Sequence, residues 1–165
     1  MTKCMANYRD EAMNLKRHAV MFLATGGYSG RIPFAPGSFG SMVGIPLVYL
    51  LARLPLAMAV IATILFIAGA IWVAGEGEKA LNAHDPGCIV IDEIAGMCVA
   101  MLGLPFTPVY LVSGFVVFRI LDIVKPPPAR QVDRGLNGGL GIVMDDVIAG
   151  LMTNILLHLL RLLLN

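Results

Sequence analysis

Four short clusters of charged and glycine-rich residues divide a chain that is otherwise apolar: Pro36-Gly37-Ser38-Phe39-Gly40-Ser41, Asp92-Glu93, Arg119-Ile120-Leu121-Asp122-Ile123-Val124-Lys125-Pro126, and Gly138-Gly139-Leu140-Gly141-Ile142-Val143-Met144-Asp145-Asp146. Charge is costly beside lipid, so five carboxylates and two cations kept between such stretches point to a site. With 58% hydrophobic and 14% charged residues, the 165-residue chain is well outside the composition of an ordinary soluble domain. One integral membrane domain is the expectation. A net charge of +1, with no run of Lys or Arg, leaves no footprint for a nucleic-acid backbone, and nucleic acid is set aside as a partner.

Residues 1–21 are expected to form an amphipathic segment at the membrane interface, because Lys3, Arg9, Asp10, Glu11, Lys16 and Arg17 alternate with apolar positions such as Met13 and Val20. The segment lacks the apolar run and small-residue cleavage site of a secretory signal, so it is expected to stay uncut and cytosolic. Residues 22–165 are expected to be a single helical domain. Its first part, 22–41, is too rich in Gly and Pro for a helix and is read as a loop. Apolar stretches follow at Met42–Ala52, Leu56–Ala74 and Ile94–Phe118, with a polar segment at Glu76–Gly87, and a last helix is expected from near Ile142 to Leu164. No internal repeat stands out. Cys4, Cys88 and Cys98 form neither an even set nor a CxxC pair and are read as reduced structural thiols. Asn154 and His158, deep in the last helix, are read as making interhelical hydrogen bonds.

Topology decides whether the clusters can cooperate. Pro105 and Pro108 break the Ile94–Phe118 tract, which fits either one interrupted crossing or a hairpin of two short helices. A crossing separates Asp92-Glu93 from Arg119-Asp122-Lys125, whereas a hairpin returns them to one side. Legs of about 11 residues rise only about 16 Å, half the hydrocarbon thickness, so such a hairpin is re-entrant or enclosed by other helices. A second hairpin over Met42–Ala74 likewise brings Pro36–Ser41 beside Asp92. The fold expected is therefore all-α, a compact bundle of about six helices with short or re-entrant membrane helices. In this arrangement the basic residues of the N-terminal segment and of the stretch from Arg119 share the cytoplasmic side.

Asp92, Glu93, Asp122, Asp145 and Asp146 offer hard oxygen ligands with no His or Cys pattern beside them, a donor set that favours Mg²⁺ over zinc. Arg119, Asp122 and Lys125 recur at helical spacing, which places both cations beside one carboxylate and suits a phosphate. Gly138-Gly139-x-Gly141 ahead of the last helix is expected to leave backbone N–H groups free for an anion, with Asp145 and Asp146 in that helix's first turn.

In order and spacing, these motifs resemble those of the phosphatidylglycerophosphatase A family, from about Phe22 onward: Pro36-Gly37-Ser38-Phe39-Gly40-Ser41, Val90-Ile91-Asp92-Glu93-Ile94-Ala95-Gly96, Phe118 to Pro126, and Asn137 to Gly150. The resemblance implies a Mg²⁺-dependent phosphoric monoester hydrolase of the bacterial inner membrane, its site facing the cytoplasm. That enzyme converts phosphatidylglycerophosphate to phosphatidylglycerol in phospholipid biosynthesis. Ser38 stands where Thr is usual and keeps the hydroxyl. Asn137 stands where His often precedes the Gly-Gly pair, so no catalytic role is placed there.

Resemblance and ligand chemistry together assign Mg²⁺ to Asp92, Glu93, Asp145 and Asp146, with Asp122 as a further catalytic carboxylate that ligates or orients the cations. Arg119 and Lys125 are expected to grip the phosphomonoester, with Gly37, Ser38, Ser41, Gly138 and Gly139 as further substrate contacts. The attacking group is a water or a carboxylate. Two rival classes remain at this stage: a small ion-coupled transporter, whose charges belong at mid-membrane, and a helical phospho-ligand binder without turnover. The bland readings are helix-end charges for Asp145-Asp146, a snorkelling Lys125, a helix cap for Ser38 or Ser41, and a solvated turn for His84-Asp85.

Overall fold

The computed structural model describes residues 15–129, 131 and 135–164. The helices, in chain order, are α1 (Leu15–Ala24), α2 (Pro36–Val43), α3 (Ile45–Ala52), α4 (Leu56–Leu81), α5 (Ile91–Ala100), α6 (Pro108–Val124) and α7 (Gly138–Leu164), with a 3₁₀ turn at Ser29–Arg31. Only Gly44 separates α2 from α3, and the two make one apolar rod over Pro36–Ala52, so the bundle among the described residues has six rods, as expected. The N-terminal amphipathic segment lies outside the described residues as far as residue 14. From Leu15 its continuation is helical, and the Arg17 guanidinium donates to the Ala80 carbonyl at the end of α4.

Length separates the helices into two kinds. α4 has 26 residues and α7 has 27, and both are apolar enough to cross a membrane. At about 1.5 Å per residue each is also long enough to span a hydrocarbon core of about 30 Å. The most apolar stretch of α4 is only 22% buried inside the protein. Its outward side chains, among them Ile61, Ile64 and Leu65, are exposed, as are Leu156, Leu159 and Leu160 on α7. An apolar exterior on this scale matches a lipid-facing surface. By contrast α5 has 10 residues, every one buried except Glu93, and it cannot cross alone.

The chain takes the hairpin and not the broken crossing. α5 ends at Ala100, residues 101–107 turn, and Pro108 opens α6, where its missing N–H costs nothing. A helix that stops halfway leaves carbonyls without partners in an apolar medium. Here α7 supplies them: Asn154 Nδ2 donates to Ala100 O at 3.1 Å and Leu102 O at 2.8 Å, and His158 Nε2 lies 3.3 Å from Leu102 O. The expected interhelical role of both side chains is what the structure has.

Around α5, α6 packs on α7, α7 on α4 and α4 on α3, while α2, α3 and α6 each pack on α5 itself. α5 and α7 start at one end of the bundle, α4 and α6 finish there, and α2 begins there, so all the chemical clusters gather at that end. Pro36–Ser41, read as part of a loop, is helical in α2, and Asp145 and Asp146 lie two turns into α7 and not in its first. Two further differences concern helix ends. α4 continues through Glu76, Glu78 and Lys79 to Leu81, and α7 begins at Gly138, four residues before Ile142. The cysteine expectation also needs correction: Cys98 is free and buried, but Cys88 is disulfide-bonded. An odd count argues against a framework without preventing one pair.

Candidate active site

Asp92 and Glu93 occupy the first turn of α5, where the helix dipole favours negative charge, and Asp92 Oδ1 accepts a 3.0 Å hydrogen bond from the Glu93 N–H. Asp146 reaches them from α7 because of what lies one turn further along each helix. A side chain at Gly150 would run into the Gly96 carbonyl, and one at Gly96 would meet the Phe118 ring and come within 2.8 Å of Asp146 O. Gly96 stands four residues after Asp92, and Gly150 four after Asp146. The two glycines let α5 and α7 touch, and the carboxylates above them converge. One oxygen from each of Asp92, Glu93 and Asp146 lies within 4.8 Å of the others, a group that could hold a metal ion.

The cations come from α6. Arg119 Nη1 is 2.7 Å from Asp122 Oδ2 and 3.8 Å from Glu93 Oε1, Asp122 being one helical turn along from Arg119. Lys125, the residue that ends α6 with φ +46°, turns Nζ to within 2.5 Å of Asp145 Oδ2. From the other side α2 presses in. A Cβ at Gly37 would overlap Glu93 Oε1 and lie 2.8 Å from Arg119 Nη2, so a side chain there would displace the ends of both.

The electrostatics are unbalanced in a specific way. Five carboxylates against two cations leave a formal charge of −3 in a region that is mostly buried. Burial, and then the Glu93 charge, push the Asp92 carboxyl well above the usual carboxylate range, and burial likewise raises Glu93, since a low-dielectric surrounding disfavours the charged form. Glu93 Oε2 and Arg119 Nε are buried with no hydrogen-bond partner among the described residues. An acceptor beside an acidic trio and a guanidinium N–H nearby are what a hard cation and an anionic oxygen would respectively satisfy. The residues present therefore fit a divalent metal.

Not every expected site residue is gathered here. Asp145 stands next to the trio in sequence but is paired with Lys125, which in turn is held by Asp145 and not set out as a clamp. Ser41 is fully buried and donates to Gly37 O at 2.9 Å, while Ser38 in the first turn of α2 is half-buried. Neither caps α2, whose start is Ala35 at φ +46° followed by Pro36. Gly138 and Gly139, expected as anion contacts, stand apart from the carboxylate trio. They form the first turn of α7, about 11 Å of helix before Asp146. Gly139 packs where a Cβ would meet the Ile71 carbonyl and Gly75 of α4, and a Cβ at Gly138 would lie 3.7 Å from Glu78 Oε2. The glycines serve a close helix crossing beside a carboxylate. His84 pairs with Glu78 at 2.8 Å in an exposed turn, as its bland reading has it. Gly96 and Gly150, by contrast, were not among the expected site residues.

Fold and site together define a helical protein with an apolar exterior and one carboxylate-rich, arginine-bearing cluster that could hold a metal ion at an end of its bundle. The family model described as phosphatidylglycerophosphatase A matches residues 22–161, and the chain belongs to that family. A relative named phosphatidylglycerophosphatase A, from Escherichia coli (strain K12), is 39% identical over 132 residues, 79% of this chain and 77% of its own. The protein of that name in Haemophilus influenzae is 35% identical over 134 residues, 80% of this chain and 82% of its own. A protein of Bacteroides thetaiotaomicron named putative phosphatidylinositol-3-phosphatase is 36% identical over 149 residues, 86% of this chain and 92% of its own. No solved structure matches the chain.

Proposed function

We propose that this protein hydrolyses the terminal phosphomonoester of phosphatidylglycerophosphate, releasing phosphate and phosphatidylglycerol, with Mg²⁺ as cofactor, at the bacterial inner membrane and with its site facing the cytoplasm. The observation that carries the reading is the convergence of Asp92, Glu93 and Asp146 within 4.8 Å, with Arg119 lodged against Glu93, in a chain of this family. In the proposed organisation residues 1–21 lie at the interface and residues 22–165 form the catalytic domain.

Asp92, Glu93 and Asp146 would hold Mg²⁺, which supplies Lewis-acid neutralisation of the phosphoryl oxygens. The chain's own residues do the rest. Arg119 turns guanidinium N–H groups toward the phosphate, kept in place by Asp122 on its own helix. The Lys125–Asp145 pair ties the end of α6 to α7 and so fixes the cations relative to the carboxylates. Gly37 sets the distance of α2 from Glu93 and Arg119, and Ser38, half-buried beside it, is available to the headgroup. A carboxylate of the cluster either takes the proton of an attacking water or attacks phosphorus itself. In both cases the bond between phosphorus and the glycerol oxygen breaks and that oxygen leaves as an alcohol after protonation; where a carboxylate attacks, a water then hydrolyses the acyl phosphate to free phosphate and restore the carboxylate. The same geometry suits any lipid phosphomonoester of similar reach, and the relative named for a phosphoinositide gives that second substrate a specific motive.

Phosphate release from phosphatidylglycerophosphate and from phosphatidylinositol 3-phosphate, measured with purified protein in detergent micelles with Mg²⁺, with EDTA, and with Asp146→Asn, tests the reading. Release from the first lipid that needs both Mg²⁺ and Asp146 is the expected result. Faster release from the phosphoinositide moves the substrate, and no release from either lipid by folded, Mg²⁺-supplied protein removes the activity.

A further inference from the structure

The carboxylate cluster lies level with the apolar exterior, not above it. Phe39, Met42 and Val43 on α2 are all exposed, at 37%, 51% and 43%, and their spacing puts them on one face. Ile120, Ile123 and Val124 on α6 repeat the spacing and are exposed at 54%, 71% and 60%. Gly37 and Ser41 on α2 and Asp122 on α6 lie across their helices from these stripes, while Arg119, four residues before Ile123, lies beside its stripe. With a rise of about 1.5 Å per residue, the outward apolar groups are therefore within about 5 Å in height of the inward charges. A phosphate arriving from bulk water would cross an apolar rim on both helices that flank Glu93.

Among the described residues the bundle is open on that side. α6, α7, α4 and α3 pack in succession around α5, while α2 and α3 pack on α5 without packing extensively on α6. The seam between them is bridged at the site by Gly37 against Arg119, and at the far end by Tyr49 of α3 edge-on to Phe106, with centroids 5.2 Å apart.

We propose that the lipid substrate enters sideways from the bilayer between α2 and α6, its phosphate reaching Arg119 and the carboxylates while its acyl chains lie along the two apolar stripes. This rests on the lipid phosphatase reading. The occupant is the diacyl part of a phospholipid because the seam ends at the phosphomonoester site and its outer walls are apolar where a soluble substrate would need a polar mouth.

Two measurements on the full chain test it. A phosphatidylglycerophosphate analogue with a diazirine on one acyl chain, held at low mole fraction in phosphatidylcholine vesicles, is photolysed with and without excess unlabelled lipid of the same headgroup. Labelling that the unlabelled lipid competes away is expected on peptides spanning 37–45 and 115–124. Competed labelling on the outer faces of α4 or α7, or none that is competed, overturns the proposal. Second, the double variant Met42→Gln, Ile123→Gln changes only exposed positions. It should raise KM about tenfold for the diacyl substrate, about 1.4 kcal/mol, and leave kcat/KM for the water-soluble deacylated headgroup unchanged. Equal losses on both substrates, or on neither, overturn it. Absence of turnover in the parent protein would refute the phosphatase reading instead, and the labelling pattern is read without turnover.

Discussion

At the scale of single residues, Gly37 shows how a motif glycine can matter through the side chain it lacks. Its backbone N–H is expected from sequence to face the phosphate, but what the structure requires of it is the missing side chain, since any Cβ there would overlap Glu93 Oε1 and press on both terminal nitrogens of Arg119. Gly37→Ala should therefore lower kcat/KM by one to two orders of magnitude, about 1.4–2.7 kcal/mol, while the protein still folds. Steady-state kinetics beside a thermal melt checks this, and wild-type kinetics would mean that α2 can back away at no cost to the site. Asp92 makes a second residue-scale prediction through its protons. Burial and the Glu93 charge raise its pKa, so the metal-free folded protein holds a proton over a range of pH in which the unfolded chain has already released it. Stability from this group is complete below the usual carboxylate range and is lost as pH rises through the raised value. The melting temperature of EDTA-treated protein should fall as pH rises above the usual carboxylate value of about 4, and Asp92→Asn should flatten that slope. A slope that is unchanged in the variant would assign it to other groups.

At the scale of elements, the site is made by a helix crossing. Asp92-Glu93-Ile94-Ala95-Gly96 on α5 and Asp146-Val147-Ile148-Ala149-Gly150 on α7 share the pattern Asp-x-Ile-Ala-Gly, and each pairs a carboxylate with a glycine one turn below it. This echo is present in the sequence. It does not stand out there because five residues are too few to register as a repeat, and because the convergence of Asp92 with Asp146 depends on the packing of the glycines. Gly150→Ala places a methyl against the Gly96 carbonyl, and should destabilise the protein by about 1–3 kcal/mol and reduce metal affinity along with activity. Mg²⁺ titration followed by calorimetry would show whether the carboxylates have moved apart, and an unaltered affinity would detach the crossing from the site. The far end of α5 gives a matching test of stability alone. Asn154→Leu removes the donor to the Ala100 carbonyl and one of two partners of the Leu102 carbonyl, and stranding the first should cost about 1–3 kcal/mol with kcat unaffected in the protein that remains folded. The different settings of Gly139, at a crossing with α4, and Gly37, against Glu93 and Arg119, show why glycine-rich motifs were the least legible part of the site. A glycine in sequence announces close approach without saying to what.

At the scale of the whole molecule, the hairpin was legible because Pro105 and Pro108 break the tract in two, and because a single crossing would have stranded Asp92 and Arg119 on opposite faces. The partner choice of Asp145 was not legible. Adjacent carboxylates on a helix diverge by about 100°, and which of the two turns inward depends on where α6 ends and sends Lys125. Whichever turns inward, the assembled site is formally −3 for its five carboxylates and two cations. A phosphomonoester brings further negative charge, and at short range in a partly buried site like charges repel by several kcal/mol. Arg119 is itself held by Asp122 and Glu93, so the protein alone has too little positive potential to retain the headgroup. The lipid phosphate and the cation should consequently bind as a pair. Binding of a non-hydrolysable phosphonate analogue of phosphatidylglycerophosphate, measured by equilibrium partition into protein-containing micelles, should fall at least tenfold in EDTA and recover with Mg²⁺. Binding that ignores EDTA would mean that Arg119 and Lys125 suffice, that the carboxylates are largely protonated when the lipid arrives, and that any metal acts only after the substrate is in place.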